Sequence, residues 1–123
     1  AMAVRRIEEI MNGQAASYGV TARLEYKYGY PPTINAPQEA AFAAEVAREI
    51  AGDTGVDENV APVMGAEDFA YMLEARPGAY VFLGQGDSPM CHHPLYNFND
   101  EIAPIGASFL ARLVERAQPV AGA

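Results

Sequence analysis

The chain has 123 residues, a usual size for one domain, and 50% of them are hydrophobic, which is enough material for a core. The formal net charge is −8 and the eight basic residues form no stripe, which argues against a nucleic-acid or anionic-membrane surface. One cysteine cannot form an internal disulfide, and no apolar run reaches the roughly 20 residues of a membrane span, so we expect a cytoplasmic protein.

The N-terminal part predicts one helix and one strand. Apolar residues recur at helical spacing in VRRIEEIMNGQAASYG, whereas strict alternation in VTARLEYKY is typical of a half-solvated strand. Such a pair is too little for an independent domain, so we expect it to end a sheet whose other strands are missing from this chain. The proline-rich stretch GYPPTINAP then predicts a domain junction.

The remaining sequence predicts alternating helices and strands. PQEAAFAAEVAREIAG is a predicted helix with Asn35 as N-cap and Gly52 as terminator, and AEDFAYMLEA is a shorter one. ENVAPVMG is a weak strand candidate, and the apolar run GAYVFLG is typical of a buried strand. APIGASFLARLVERA is a predicted helix whose expected buried face comprises Ile105, Phe109, Leu110, Leu113 and Val114. The pattern predicts an α/β fold.

The stretch SPMCHHPLYNFND follows the last predicted strand and contains the only two histidines and the only cysteine. Strand ends are where α/β sheets place their sites. Adjacent side chains on an extended loop diverge, so at most one of His92 and His93 could bind a given metal ion. The local pattern alone favours a hydrogen-bonded polar loop over a metal ligand. It disfavours a Cys91–His nucleophile pair further, because nothing nearby in sequence lowers the thiol pKa.

A second candidate region is MGAEDFAYM. Gly65 permits a tight turn into a helix whose free N–H groups would favour an anion such as a substrate carboxylate. Glu67 and Asp68 could equally be there only to complement the helix dipole, and the pattern alone favours that interpretation.

Three motifs in register carry a resemblance over nearly the whole chain: YGYPPTIN, MGAEDFAYMLEARPGAYVFLG and CHHPLYNFNDEIAPIGASFLARLVE. Together they resemble the dinuclear-metal amidohydrolases that include hippurate hydrolase, N-acyl-amino-acid amidohydrolases and the plant auxin-conjugate hydrolases. The resemblance implies a zinc-peptidase-like catalytic α/β domain interrupted by an α+β lid that often dimerises. This chain would be the C-terminal third, with residues 1–33 ending the lid and residues 34–123 belonging to the catalytic domain.

The same resemblance implies roles for individual residues. The family pattern His-Ser/Thr/His-Pro places a ligand of one of two divalent ions (Zn, Mn, Co or Ni) at His92, with His93 in the variable place. Substrate-lining positions map to Gly65, Ala66, Glu67 and His93. Cys91 does not match the family's metal-bridging cysteine, and the catalytic glutamate lies upstream, so no catalytic residue falls in this chain.

Two functional hypotheses follow. In the first, the chain is part of an enzyme that cleaves the amide bond of N-acyl amino acids with metal-activated water, and is inactive alone because most ligands are missing. In the second, it is a non-catalytic module that associates through exposed lid and sheet edges. In either case we expect self-association or a partner covering Val20, Leu24 and Tyr26.

Overall fold

The computed structural model describes residues 2–118. Two short 3-10 turns are also present: Asp53–Gly55 follows the second α-helix, and Asp100–Ile102 precedes the fourth. The four α-helices are α1 (Met2–Ser17), α2 (Pro37–Ala51), α3 (Phe69–Ala75) and α4 (Ala103–Ala117). All four were predicted, although α3 begins later than its predicted start because the preceding acidic residues form a turn instead.

The predicted α/β fold is wrong, because residues 2–118 contain helices and no strand. All three predicted strands, at residues 20–28, 58–65 and 78–84, are non-helical but unpaired. A strand requires a ladder of backbone hydrogen bonds to a neighbour. Between distant segments of the described chain, one backbone bond forms, from Ala36 N–H to the Gly78 carbonyl at 2.9 Å. The sequence patterns therefore identified non-helical backbone correctly, but they could not show whether a second segment lies alongside to pair with it.

Helix α2 starts differently from the prediction and ends as predicted. Its N-cap is Ala36, with no side-chain cap, and Pro37 occupies the first turn. Asn35 is not the cap because its side-chain amide bonds to the backbone of Tyr80 instead. At the other end Gly52 adopts a positive φ of 74° and donates its N–H to Arg48 O, as a terminating glycine should.

Helices α2 and α4 pack against each other and form the small core. The buried residues of α2 are Ala43, Ala44 and the fully buried Val46, all with short side chains. At the rim, Glu49 accepts from both Arg112, at 2.6 Å, and Arg116. The predicted buried face of α4 is largely wrong: no residue of α4 is buried, and Ile105, Leu110 and Val114 are exposed.

An open apolar groove explains that exposure. A cavity of about 570 Å³ lies between the alanine face of α2, residues 80–84 and the Ile105–Leu110 side of α4. The accessible surface of the chain is 10336 Å², against roughly 6,400 Å² for a compact monomer of 13.2 kDa. The described helices and loops therefore leave the large apolar side chains along this groove uncovered.

Helix α1 packs against none of the other described helices. After it, Val20 and Tyr26 remain 61% and 45% exposed. The division of the chain near residue 33 and the association through this segment stay predictions. None of the helices within residues 2–118 combines the length and apolar character that crossing a bilayer requires.

The α2–α4 core provides a first test. Val46→Ala removes two buried methyl groups, so the free energy of unfolding should fall by about 2 kcal/mol in urea titrations followed by circular dichroism. Val114→Ala is the matched control, because Val114 is 61% exposed; its effect should stay below about 0.5 kcal/mol. Equal effects of the two substitutions would show that Val46 is not the centre of the core.

Candidate functional site

Both candidate regions of the sequence form hydrogen-bonded loops. The histidine loop (residues 85–99) is closed at its two ends by Gln85 and Asn99. Asn99 donates its backbone N–H to Gln85 Oε1 at 3.3 Å and its side-chain amide to the Gln85 carbonyl at 3.2 Å. Gln85 also donates to Ser88 Oγ at 2.5 Å and accepts from the Tyr96 hydroxyl at 3.4 Å. The loop therefore has a defined base.

His92 has an unusual backbone conformation within this loop. Its φ is 72°, and it is the one non-glycine residue with positive φ in the described chain. The left-handed region is uncommon for residues with a Cβ, although histidine enters it more readily than most, and such conformations concentrate at functional sites. The His92 side chain is exposed, and no hydrogen bond within residues 2–118 uses its imidazole. Neither ring nitrogen of His92 is engaged by the described residues.

His93 is held differently. Its backbone bonds to Met90 and Tyr96, and its Nδ1 accepts the backbone N–H of Leu95 at 3.1 Å. An Nδ1 that accepts a hydrogen bond cannot carry a proton, so the neutral ring carries its proton on Nε2. Nε2 is then a donor and not a lone-pair ligand. Two adjacent histidines thus present opposite chemistry, a free imidazole at His92 and a fixed N–H donor at His93.

The second region is the acidic turn (residues 65–69). Glu67 Oε1 accepts the backbone N–H of Phe69 at 3.1 Å, and Glu67 Oε2 accepts the Tyr80 hydroxyl at 2.9 Å. These two bonds, the one from Phe69 first, lower the pKa of Glu67, with a further contribution from Asp68. The next amides of α3, at Ala70 and Tyr71, bond to the carbonyls of Glu67 and Asp68. The start of α3 therefore has its own acceptors.

Tyr80 connects this turn to the rest of the molecule. Asn35 binds its backbone in both directions, accepting the Tyr80 N–H at 2.7 Å and donating to the Tyr80 carbonyl at 2.9 Å. The bond to Glu67 raises the pKa of Tyr80, desolvation adds to the increase, and the charges of Glu67, Cys91 and Asp68 contribute further.

The structure thus bonds Glu67 to Tyr80 and leaves Gly65 and Ala66 exposed on the turn. It does not assemble a complete metal centre: residues 2–118 contain no group of three His, Cys, Asp or Glu side chains that could hold an ion. Sequence reasoning missed Asn35, Tyr80, Gln85 and Asn99 as organising residues. For Gln85 the available signal was its place between two glycines directly after the apolar run GAYVFLG.

The family model for Peptidase family M20/M25/M40 matches residues 5–116. The chain belongs to this family, which confirms the resemblance found in its motifs. A hippurate hydrolase from Campylobacter jejuni is 32% identical over 108 residues, covering 88% of this chain and 28% of that protein. An IAA-amino acid hydrolase from Arabidopsis thaliana is 32% identical over 117 residues, covering 89% of this chain and 26% of that protein.

An N-acetyldiaminopimelate deacetylase from Streptococcus suis is 32% identical over 109 residues, covering 87% of this chain and 28% of that protein. The chain therefore spans between 26% and 28% of the length of these relatives. No solved structure matches the chain significantly.

The closure of the histidine loop gives a second prediction. Gln85→Ala removes its bonds to Ser88, Tyr96 and the Asn99 amide, so chymotrypsin should cut after Tyr96 and Phe98 about tenfold faster, measured by mass spectrometry. Asp87→Ala is the control, since Asp87 is exposed and its side chain makes no hydrogen bond within residues 2–118. Equal cleavage rates for the two variants would show that Gln85 does not close the loop.

Proposed function

We propose that this chain belongs to a metal-dependent amidohydrolase that cleaves the amide bond of N-acyl amino acids. The names of its relatives, hippurate hydrolase, IAA-amino acid hydrolase and N-acetyldiaminopimelate deacetylase, support this substrate class. The observation that carries the proposal is the contrast between the two histidines. An exposed imidazole on a left-handed backbone, beside a histidine already bonded through Nδ1, suits a single protein ligand of a metal ion.

His92 fits a divalent ion as one nitrogen donor, of the type that zinc, manganese, cobalt or nickel accept. When bound, the ions would act as Lewis acids on the amide carbonyl and supply activated water at neutral pH. A pair of ions needs more ligands than His92 alone, and the relatives are long enough to provide them outside this chain. The part of this chain is to hold one imidazole in place and to shape the neighbouring surface.

That neighbouring surface is the acidic turn together with His93. We assign the turn formed by Gly65, Ala66 and Glu67 to the lining of the substrate pocket, because Glu67 binds Tyr80 and Asn35 holds Tyr80 in place. The His93 Nε2–H is a donor oriented by the bond at its other nitrogen, and it suits a carboxylate or carbonyl oxygen of an N-acyl amino acid.

A second candidate function is association through residues 20–28, for which the exposure of Val20 and Tyr26 is the supporting observation. Exposed apolar residues alone do not account for the conformation of His92 or for the closed histidine loop. We therefore place the hydrolase first.

Substitutions of the two histidines should have different effects in the full-length protein. His92→Asn removes the imidazole while tolerating the left-handed backbone, so it should abolish hippurate hydrolysis and remove about one equivalent of tightly bound metal. His93→Ala is the matched control and should keep its metal, with activity reduced at most about 10- to 100-fold. Metal analysis and hippurate kinetics on both purified variants make the comparison.

The assignment of the ligand would be wrong if His93→Ala emptied the site while His92→Asn left it filled. Family membership would be unaffected by that result. Loss of metal from both variants would instead point to general disruption of the loop, and circular dichroism of each variant tells this apart from loss of a ligand.

The isolated chain should show no activity. With one proposed ligand it cannot hold two ions at a catalytic spacing of roughly 3.5–4 Å, so hippurate should remain intact after addition of zinc, manganese or cobalt. The measurement is release of glycine by the pure chain against a no-protein blank. Metal-dependent turnover by the chain alone would refute the expectation that further ligands are required.

A further inference from the structure

Glu67 uses both of its carboxylate oxygens inside the protein. One oxygen receives the N–H of Phe69 at 3.1 Å, at the start of α3, and the other receives the hydroxyl of Tyr80 at 2.9 Å. The first bond fixes the carboxylate against its own turn. The second ties that turn to a residue 13 positions further along the chain. The same side chain therefore joins two segments that no backbone hydrogen bond connects directly.

Tyr80 is itself held firmly enough to serve as an anchor. Its backbone is bound in both directions by Asn35, and Ala36 N–H bonds to the nearby Gly78 carbonyl. Its ring lies against Phe69, with centroids 5.6 Å apart, and against Phe82 in an edge-on arrangement at 5.4 Å. Backbone and ring together define where the phenolic oxygen lies, so Glu67 binds a group that is already in position.

We propose that Glu67 is a positioning residue, whose carboxylate binds Tyr80 and thereby fixes the acidic turn, and which does not itself contact the substrate. This inference deepens the proposed function and rests on it, because the turn positions a substrate only if the pocket binds one. It assigns Tyr80 as the partner through which Glu67 acts.

Charge supports the same assignment. The hydrogen bonds that lower the pKa of Glu67 keep it ionised at neutral pH. An N-acyl amino acid carries a carboxylate of its own, so an ionised glutamate pointing into the pocket would repel it. Directed at Phe69 and Tyr80, the negative charge is instead matched by two donors.

The test is a set of variants in the full-length protein, with kcat, KM and bound metal measured for hippurate. Tyr80→Phe and Glu67→Ala should each raise KM about tenfold, since each removes a hydrogen bond to a charged group, while metal content stays constant and kcat changes less than about twofold. The double variant should have the same KM as Glu67→Ala alone, because Glu67→Ala already removes the hydrogen bond that Tyr80→Phe breaks. Glu67→Gln should raise KM less than Glu67→Ala does, because the amide oxygen of glutamine still accepts one hydrogen bond.

The matched control is Glu74→Gln, which neutralises an exposed acid on α3 whose side chain makes no hydrogen bond within residues 2–118. It should leave KM unchanged. The proposal is overturned if Tyr80→Phe keeps the wild-type KM while Glu67→Gln raises it, because Glu67 would then contact the substrate directly. Additive effects in the double variant would also overturn it.

Amide hydrogen exchange provides a measurement that needs no activity. Glu67 Oε1 is the acceptor for the Phe69 amide, so exchange there should become about tenfold faster in Tyr80→Phe, which does not touch that amide itself. Unchanged exchange would overturn the positioning role. If the wild-type protein hydrolyses no N-acyl amino acid, the proposed function is refuted, and exchange at Phe69 still decides whether Tyr80 holds Glu67.

Discussion

Much of the described structure depends on one side-chain amide. Asn35 accepts the Tyr80 N–H at 2.7 Å and donates to the Tyr80 carbonyl at 2.9 Å, so it pairs with a peptide unit as a neighbouring strand would. The two residues are 45 positions apart. Asn35 lies two residues before the start of α2 and Tyr80 directly precedes the apolar residues 81–83, so this pairing holds that segment near the N-terminal end of α2. It also fixes the phenol that Glu67 requires.

The α2–α4 core and the polar site differ in completeness. The core is built from alanines and one buried valine, which permits close helix packing but buries little apolar surface. Phe82 and Leu110 are consequently left 69% and 63% exposed along the groove. The hydrogen bonds around Glu67, Tyr80 and Asn35, in contrast, are satisfied within the described residues, and no buried side-chain polar atom there lacks a partner. The polar groups of the site have their hydrogen-bond partners within the described residues, whereas the large apolar side chains along the groove remain exposed.

Sequence patterns predicted the features that depend on near neighbours. Helical periodicity gave α1, α2 and α4, and Gly52 ended α2 as predicted because a terminating glycine acts within one turn. The strand predictions failed because pairing is a property of two segments, and neither the alternation in VTARLEYKY nor the apolar run GAYVFLG can reveal whether a second segment lies alongside. Asn35 illustrates the same limit. Its residue type suits an N-cap, but a partner 45 residues away took its side chain.

The candidate functional site was predictable to a similar extent. Residue types and the Pro94 spacing distinguished His92 from His93 only through the family resemblance, whereas the physical difference between them lies in a backbone angle and one bond to Leu95. Neither can be read from residue order. Gln85 and Asn99 were missed because the bonds that close the loop join residues 14 positions apart, and composition does not show where the chain returns.

The left-handed conformation of His92 has a consequence for affinity. A flexible loop that becomes ordered around a ligand loses conformational entropy at that moment, and the loss weakens binding. Here the base of the loop is already closed and the backbone of His92 already adopts its unusual conformation, so that entropy is lost when the chain folds. A ligand of the His92 imidazole would meet a backbone that is already ordered, so the conformational entropy lost at this residue on binding would be limited to that of the histidine side chain.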